Sequence, residues 1–176
     1  VGKTTSAVNI AASLGALGKK TLLVDLDPQG SATSSLGISK KSLRFSAADL
    51  LIRGCRVENA IIPTDFQGVD LIPANVSLAA TEFDLIETEG GEAALRKALC
   101  VLRDDYDFII LDCPPSLGML TVNAMVASDG VIIPMQCEFF ALEGLVQLMA
   151  TIGRLKGRYN PRLAIIGILV TMYNGR

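Results

Sequence analysis

Short apolar runs alternate along the chain with segments whose apolar residues recur at helical spacing. Unbroken runs such as residues 108–111 are typical of buried strands, whereas residues 4–17 carry their apolar side chains on one helical face. The predicted strands are residues 21–24, 69–72, 108–111, 131–134 and 163–171, and the predicted helices are 4–17, 47–52, 58–61, 78–86, 92–103, 121–127 and 142–155. Residues 31–44 are small and polar, which predicts loop or a short helix. Such alternation predicts an α/β fold with a doubly wound, mostly parallel sheet.

The composition supports this fold class and narrows the function. Half of the 176 residues are hydrophobic and only 5% are aromatic, an aliphatic bias that suits a parallel sheet buried on both faces. No run of about 18 apolar residues occurs, so we expect no membrane-spanning segment. Four cysteines without C-x-x-C spacing, and no histidine, argue against a zinc site and favour reduced thiols in the cytosol. A net charge of -2 means that DNA binding would need a local basic patch.

Both ends of the sequence fall within predicted features. The chain begins on Val1 rather than Met, and it stops at Arg176, shortly after a predicted strand. We therefore expect residues 1–176 to be a single domain that lacks both ends, with a strand before Val1 and further elements after Arg176.

The first residues, Val1-Gly2-Lys3-Thr4-Thr5, match the second half of a phosphate-binding loop, G-x-x-x-x-G-K-[ST]. Glycine lets the backbone approach a phosphate, and the N–H groups at the start of the following helix point at the anion. Lys3 would place a positive charge on the β- and γ-phosphates, and the Thr4 hydroxyl would ligate Mg²⁺. On its own, this short motif is equally compatible with an ordinary solvated chain end.

Two predicted strands end in acidic residues. Asp112 follows the apolar run 108–111, as does the acid that holds the Mg²⁺ shell in a second nucleotide motif. Asp25-x-Asp27-Pro-Gln-Gly follows the run 21–24, where Asp27 could position a water beside the γ-phosphate. Each has a plain alternative, a strand-end cap or a common Asp-Pro-Gly turn. Because ligands bind at the carboxyl ends of parallel strands, the three motifs together predict a nucleotide site.

The chain resembles the ParA/Soj family of chromosome- and plasmid-partitioning ATPases, which are P-loop NTPases with a deviant Walker-A motif. The resemblance covers nearly the whole chain and is weakest over residues 39–66. Its most specific segments are Asp25-Leu-Asp-Pro-Gln-Gly and Cys137-Glu-Phe-Phe-Ala-Leu-Glu-Gly. The matching segments also include Val1-Gly-Lys-Thr-Thr, Ile109-Ile-Leu-Asp-Cys-Pro-Pro-Ser-Leu-Gly and Gly167-Ile-Leu-Val-Thr-Met-Tyr-Asn-Gly-Arg.

The resemblance implies a site for ATP and Mg²⁺ and assigns roles to its residues. Lys3 and Asp27 would be catalytic, Asp27 by aligning the hydrolytic water, and residues 113–118 would form a loop that senses the γ-phosphate. The implied nucleotide contacts are Gly2, Lys3, Thr4, Thr5, Asp112 and Pro114, and the implied metal shell is Thr4, Asp27 and Asp112. The family's second lysine, in a Lys-Gly-Gly that would precede Val1, reaches the partner's ATP across a dimer. Met172 and Tyr173 would lie near the base, and Arg176 would begin a DNA-binding surface.

The function that follows from the resemblance is an ATP-dependent partitioning switch. ATP would drive formation of a sandwich homodimer that binds DNA without sequence preference, and a ParB-like protein would stimulate hydrolysis to ADP and phosphate. The protein would be cytoplasmic and nucleoid-associated, without membrane binding. Two alternatives remain open, a MinD-like ATPase that acts in cell-division positioning at the membrane and a non-enzymatic nucleotide-bound scaffold.

Two further features carry open alternatives. Asn9 on the first helix could buttress the loops around the nucleotide, or it could be purely structural. The basic residues Lys156, Arg158 and Arg162 could meet DNA phosphates, although basic residues also complement the end of a helix.

Overall fold

A computed structural model describes residues 1–173, apart from the side chains of residues 139–142. The helices are α1 (Lys3–Ala16), α2 (Ser31–Ser35), α3 (Ala47–Ile52), α4 (Val57–Ala60), α5 (Leu78–Glu87), α6 (Ala94–Leu99), α7 (Met119–Ala127) and α8 (Phe139–Arg158). The strands are β1 (Thr21–Asp25), β2 (Ile62–Pro63), β3 (Val69–Ile72), β4 (Phe108–Asp112), β5 (Gly130–Gln136) and β6 (Ala164–Thr171). Strands and helices alternate as the apolar pattern predicts.

Strand β1 lies at the centre of a four-stranded sheet with the order β2-β3-β1-β4. It pairs in parallel with β3 on one side and with β4 on the other, so that Asp25 and Asp112 end neighbouring strands in register. The short β2 pairs antiparallel with β3 at the edge. The carboxyl ends of β1 and β4 therefore form one edge, the place where α/β sheets bind ligands.

Helices cover both faces of this sheet, because successive β1 side chains point to opposite sides. Leu23 packs into a cluster with Ala7 and Ala11 of α1. Leu22 and Val24 belong to a larger cluster on the other face, which α3, α5, α6 and α7 complete. The sheet is doubly wound and mostly parallel, which confirms the predicted fold class.

The last two strands form a separate parallel pair, β5-β6, rather than continuing the first sheet. Within residues 1–173, no strand pairs with the second edge of β4 or with the second edge of β5. Their apolar side chains are correspondingly open, since Phe108 is 44% exposed and Ile132 is 41% exposed. Strands β4 and β5 therefore do not meet within the described residues.

Two local predictions differ from the structure. The helix predicted over residues 92–103 is the short α6 between two 3-10 turns, Gly91–Ala93 and Cys100–Leu102. Gly91 packs so closely on the Leu85 carbonyl that a Cβ has no room there. Strand β2 was not predicted, since it has only two residues. Among the described residues, no helix is both long enough and apolar enough to cross a bilayer.

Candidate nucleotide site at the carboxyl edge of the sheet

The phosphate-loop residues begin helix α1 at the carboxyl edge of the sheet. Gly2 adopts the left-handed conformation (φ 82°) as the N-cap, and no side chain caps the helix. The Cβ that any other residue would bring lies 3.1 Å from Thr171 Cγ2 at the end of β6. Lys3 and Thr4 are half-buried, and Thr5 is exposed. A 14-residue helix that starts without a capping side chain presents free N–H groups and a partial positive charge to an anion.

Asp112 is a buried acid at this edge whose carboxylate lacks hydrogen-bond partners among the described residues. It is 1% exposed. Burial, reinforced by the charges of Asp25 and Asp27, raises its pKa to about 6. Thr4 and Lys3 act in the opposite direction and favour the charged form. The Thr4 hydroxyl is close enough to polarise the carboxylate without meeting the geometry of a formed hydrogen bond. A buried carboxylate without a partner is costly, and a cation would relieve that cost.

Asp25 organises the loop that follows β1. Its carboxylate accepts hydrogen bonds from the Thr33 N–H (2.8 Å), the Thr33 hydroxyl (2.7 Å) and the Asp27 N–H (3.1 Å). The Thr33 hydroxyl in turn accepts from the Ala74 N–H at 2.9 Å. Burial raises the pKa of Asp25, and the bonds from Thr33 and Asp27 partly offset this. The network ties β1, α2 and the segment after β3 together, a role that the sequence analysis did not assign to Asp25.

Asp27 lies in a tight turn that exposes part of its carboxylate. Its Oδ1 accepts from the Gln29 N–H at 2.9 Å, and its carbonyl accepts from the Gly30 N–H at 2.8 Å. Lys40 donates its ammonium to the Gln29 carbonyl at 2.6 Å. Gly30 has φ 61°, and a Cβ there would lie 3.0 Å from the Ala74 carbonyl oxygen. The turn is held on both sides, with Asp27 half-buried at its start.

The segment from Cys113 to Gly118 links Asp112 to helix α7. Pro114 is buried, whereas Ser116 and Leu117 are exposed. The Thr121 hydroxyl of α7 donates to the Ser116 carbonyl at 2.7 Å. Burial, with a smaller contribution from Asp112, raises the pKa of the Cys113 thiol to about 12. The thiol is therefore neutral at physiological pH, and its Sγ lies 3.8 Å from the Leu111 carbonyl oxygen.

The structure brings Lys3, Thr4 and Asp27 close to Asp112, since the charges of Lys3 and Asp27 and the hydroxyl of Thr4 act on the Asp112 carboxylate. Among the described residues, no group of three or more His, Cys, Asp or Glu side chains is arranged to hold a metal ion. The few acidic side chains at this edge suit Mg²⁺, because Mg²⁺ is usually bound by one or two carboxylates together with phosphate oxygens. Met172 and Tyr173 are exposed beyond β6, and Arg176 lies outside the described residues.

Other residues singled out in the sequence lie away from this edge or have local roles. The Asn9 amide is exposed and donates to the Thr5 carbonyl of its own helix at 2.7 Å. Lys156 and Arg158 end α8 just before β6 begins, which places them at the opposite edge of the sheet. There the Arg158 guanidinium lies 5.1 Å from the centroid of the Tyr159 ring. Acidic neighbours such as Glu92 reduce the positive charge of this region.

Comparison with known proteins gives a consistent set of similarities. Residues 1–165 match the AAA domain family. The chain is 48% identical over 176 residues to the sporulation initiation inhibitor protein Soj of Bacillus subtilis, and it covers 70% of that protein. It is 47% identical over 178 residues to the chromosome partitioning protein ParA of Caulobacter vibrioides, covering 67% of it. All of this chain is matched in both comparisons.

A solved structure agrees closely with the fold. The cobyrinic acid a,c-diamide synthase of Mycobacterium smegmatis, with a bound ATP analog and magnesium, superposes with a TM-score of 0.95 at 43% identity. The match covers 99% of this chain and 71% of that one. The same protein has also been solved with ADP and magnesium.

Proposed function

Since this chain belongs to the AAA domain family and, within it, to the ParA/Soj proteins, we propose that the full-length protein is a Mg²⁺-dependent ATPase that acts as a partitioning switch. The convergence of Lys3, Thr4, Asp27 and Asp112 on one sheet edge carries the proposal. We favour partitioning over diamide synthesis because the relatives named Soj and ParA are 48% and 47% identical to this chain, whereas the synthase is 43% identical to it.

The residues at this edge have different roles in phosphoryl transfer. The start of α1 and the Lys3 ammonium bind and orient the phosphates, because both place positive charge where negative charge accumulates. The Thr4 hydroxyl and the buried Asp112 hold Mg²⁺, which neutralises phosphate charge when it is bound. Asp27 orients the attacking water from its half-buried turn, and it also contributes to the metal shell. Gly2, Thr5 and Pro114 complete the nucleotide contacts.

We extend the proposal to the chain that precedes Val1. The unpaired edges of β4 and β5 support one further strand between them, leading into the phosphate loop at Gly2. Val1 lies beside the carboxyl ends of β5 and β6, where it lines a pocket with Met135 and Gln136 and its carbonyl is 3.5 Å from the Thr171 hydroxyl. The first half of the loop, and a lysine that acts across a dimer, would come from this preceding segment.

The proposed cycle couples ATP to assembly. ATP favours a homodimer that binds DNA without sequence preference, and hydrolysis stimulated by a ParB-like protein returns it to the free state. The protein acts in the cytoplasm, on the nucleoid. The name of the ParA relative, a chromosome partitioning protein, supports the partitioning role within this cycle.

The experiment measures ATP turnover by the full-length protein, alone and with nonspecific DNA plus a ParB-like protein encoded beside it. Asp27→Ala is compared with Asp65→Ala, an exposed acid in the turn before β3. We expect slow basal turnover that DNA and partner raise together, and that Asp27→Ala lowers about 100-fold, because the water loses its orienting group. Asp65→Ala should match the wild type.

Each other outcome redirects the proposal. Turnover that lipid vesicles raise and DNA leaves unchanged would favour the membrane-positioning alternative. Nucleotide binding without any turnover would favour the scaffold. An equal loss of turnover in Asp27→Ala and Asp65→Ala would show that Asp27 does not orient the attacking water.

A further inference from the structure

The loop at residues 113–118 has a contact that the nucleotide chemistry does not use. Glu82, in the middle of α5, is half-buried, and its Oε1 is fully buried without a hydrogen-bond partner among the described residues. Its carboxylate occupies the space beside Gly118 into which any other residue would project. A Cβ built on Gly118 overlaps the Oε1 and lies 2.9 Å from the Glu82 Cδ. Glycine at position 118 and glutamate at position 82 therefore fit each other sterically.

The place of this contact gives the carboxylate an electrostatic role. Gly118 is the N-cap of α7, no side chain caps the helix, and its first turn holds no acidic residue. Negative charge near a helix N-terminus is stabilising, and residues close to a cap set the angle at which the chain enters the helix. Glu82 places that charge beside the start of α7 from a neighbouring helix, without accepting among the described residues the hydrogen bond that an N-cap aspartate or serine side chain accepts.

Helix α7 is anchored at its body, and in its first turn the Thr121 hydroxyl donates to the Ser116 carbonyl of the loop. The buried Asn123 accepts from the Leu95 N–H at 3.0 Å and donates to the Gly91 carbonyl at 2.9 Å. These bonds tie α7 to the segment that follows α5. The loop therefore runs from Asp112, at the nucleotide edge, to a helix whose body is anchored, and Glu82 contacts it at its last residue.

We propose that Glu82 is a positioning residue for the loop at residues 113–118. Its carboxylate holds Gly118 and so sets where the loop lies relative to Asp112 and a bound nucleotide. The inference rests on the proposed function, because it assigns that loop to the same ATP site. Glu82 acts through the loop and does not touch the reacting atoms.

A double-mutant cycle in the full-length protein tests the steric part. Gly118→Ala introduces a Cβ that the carboxylate must vacate, so we expect kcat to fall about tenfold or more while the KM for ATP changes little. Glu82→Ala should also lower kcat, and it makes room for the new methyl group. The double variant should then be no slower than Glu82→Ala alone. Losses that simply multiply would overturn the proposal.

Hydrogen exchange provides a readout that does not depend on turnover. Peptides spanning residues 113–118 are followed with and without Mg²⁺ and a non-hydrolysable ATP analogue. We expect the analogue to slow exchange in the wild type and in Glu87→Ala, a control at the exposed end of the same helix, but not in Glu82→Ala. Thermal unfolding of every variant confirms that it is folded.

The two proposals fail in different ways. If the wild type does not hydrolyse ATP but its loop still responds through Glu82, the proposed function falls and this inference stands. If the wild type hydrolyses ATP and Glu82→Ala keeps both the wild-type kcat and the protection of the loop, the inference is wrong.

Discussion

At the scale of single residues, Asp112 links the electrostatics of the site to the stability of the protein. Its pKa is raised to about 6 from 3.8, mainly by burial, so the folded protein binds a proton that the unfolded chain has released between these values. The contribution of Asp112 to the stability of the protein free of nucleotide and metal therefore falls as pH rises from about 4 to about 6, with this residue costing roughly 3 kcal/mol above that range. Urea unfolding in EDTA across this pH range measures the effect.

Asp112→Asn removes the titrating group and keeps the shape of the side chain. We expect the stability of the variant to change much less over this pH range than that of the wild type. The variant should also be more stable than the wild type at pH 7, because no buried charge forms. Asp104→Asn, at an exposed position, serves as the control and should follow the wild-type curve. A difference in stability between the wild type and Asp112→Asn that stays constant over the range would show that Asp112 is solvated or paired in solution.

The sequence motifs located Lys3, Thr4, Asp27 and Asp112 because each residue type has a chemical task at a fixed position in a motif. Asp25 and Glu82 were not assigned roles, because their partners are distant in the chain. Glu82 meets Gly118, 36 positions later, only after α5 and α7 have packed. A serine or threonine eight residues after a strand-end aspartate, as Thr33 follows Asp25, was the available signal for the first network.

At the scale of elements, the Asp25–Thr33–Ala74 network holds helix α2, which has only five residues and no capping side chain. Thr33→Val keeps the side-chain shape but removes the hydroxyl, which leaves the Ala74 N–H without its partner and Asp25 Oδ2 with only the Thr33 N–H. We expect a loss of about 2 kcal/mol in the free energy of unfolding, the usual cost of stranded buried groups. Chemical denaturation measures it.

Ser34→Ala, at the next and exposed position of α2, controls for helix propensity. It should change the free energy of unfolding by a few tenths of a kcal/mol at most. Equal effects of the two substitutions would mean that the network contributes nothing beyond α2 itself.

The apolar pattern predicted the positions of those helices and strands that bury one face or both faces. Strand β3 and helix α3 have their predicted bounds, since buried runs and helical spacing there agree with the final packing. Strand β2 was missed because two residues are too few to show a periodic pattern. The 3-10 turn before α6 depends on the close packing of Gly91 on the Leu85 carbonyl. Such contacts depend on tertiary packing, which the local pattern does not encode.

At the scale of the whole molecule, the alternation of elements predicted the α/β class but not the division into two sheets. The division arises at one place, between β4 and β5, and both flanking strands have apolar side chains there. A single inserted strand would join β2-β3-β1-β4 to β5-β6 and cover those side chains. The same strand would deliver the phosphate loop to the start of α1, so that under this proposal the sheet and the nucleotide site would both depend on one segment.

Hydrogen exchange of the full-length protein tests this arrangement. A strand paired on both sides exchanges only through large-scale unfolding, whereas an edge strand with unpaired N–H groups exchanges through local opening. We expect the amides of β4 to exchange as slowly as those of β1, which is paired on both sides in the present structure. The Ile62 amide of β2, at the outer edge, is the fast-exchanging internal reference, since Pro63 has no N–H. Exchange of β4 at the rate of β2 would mean that no strand lies between β4 and β5, and the first half of the phosphate loop would then have to reach Gly2 by another path.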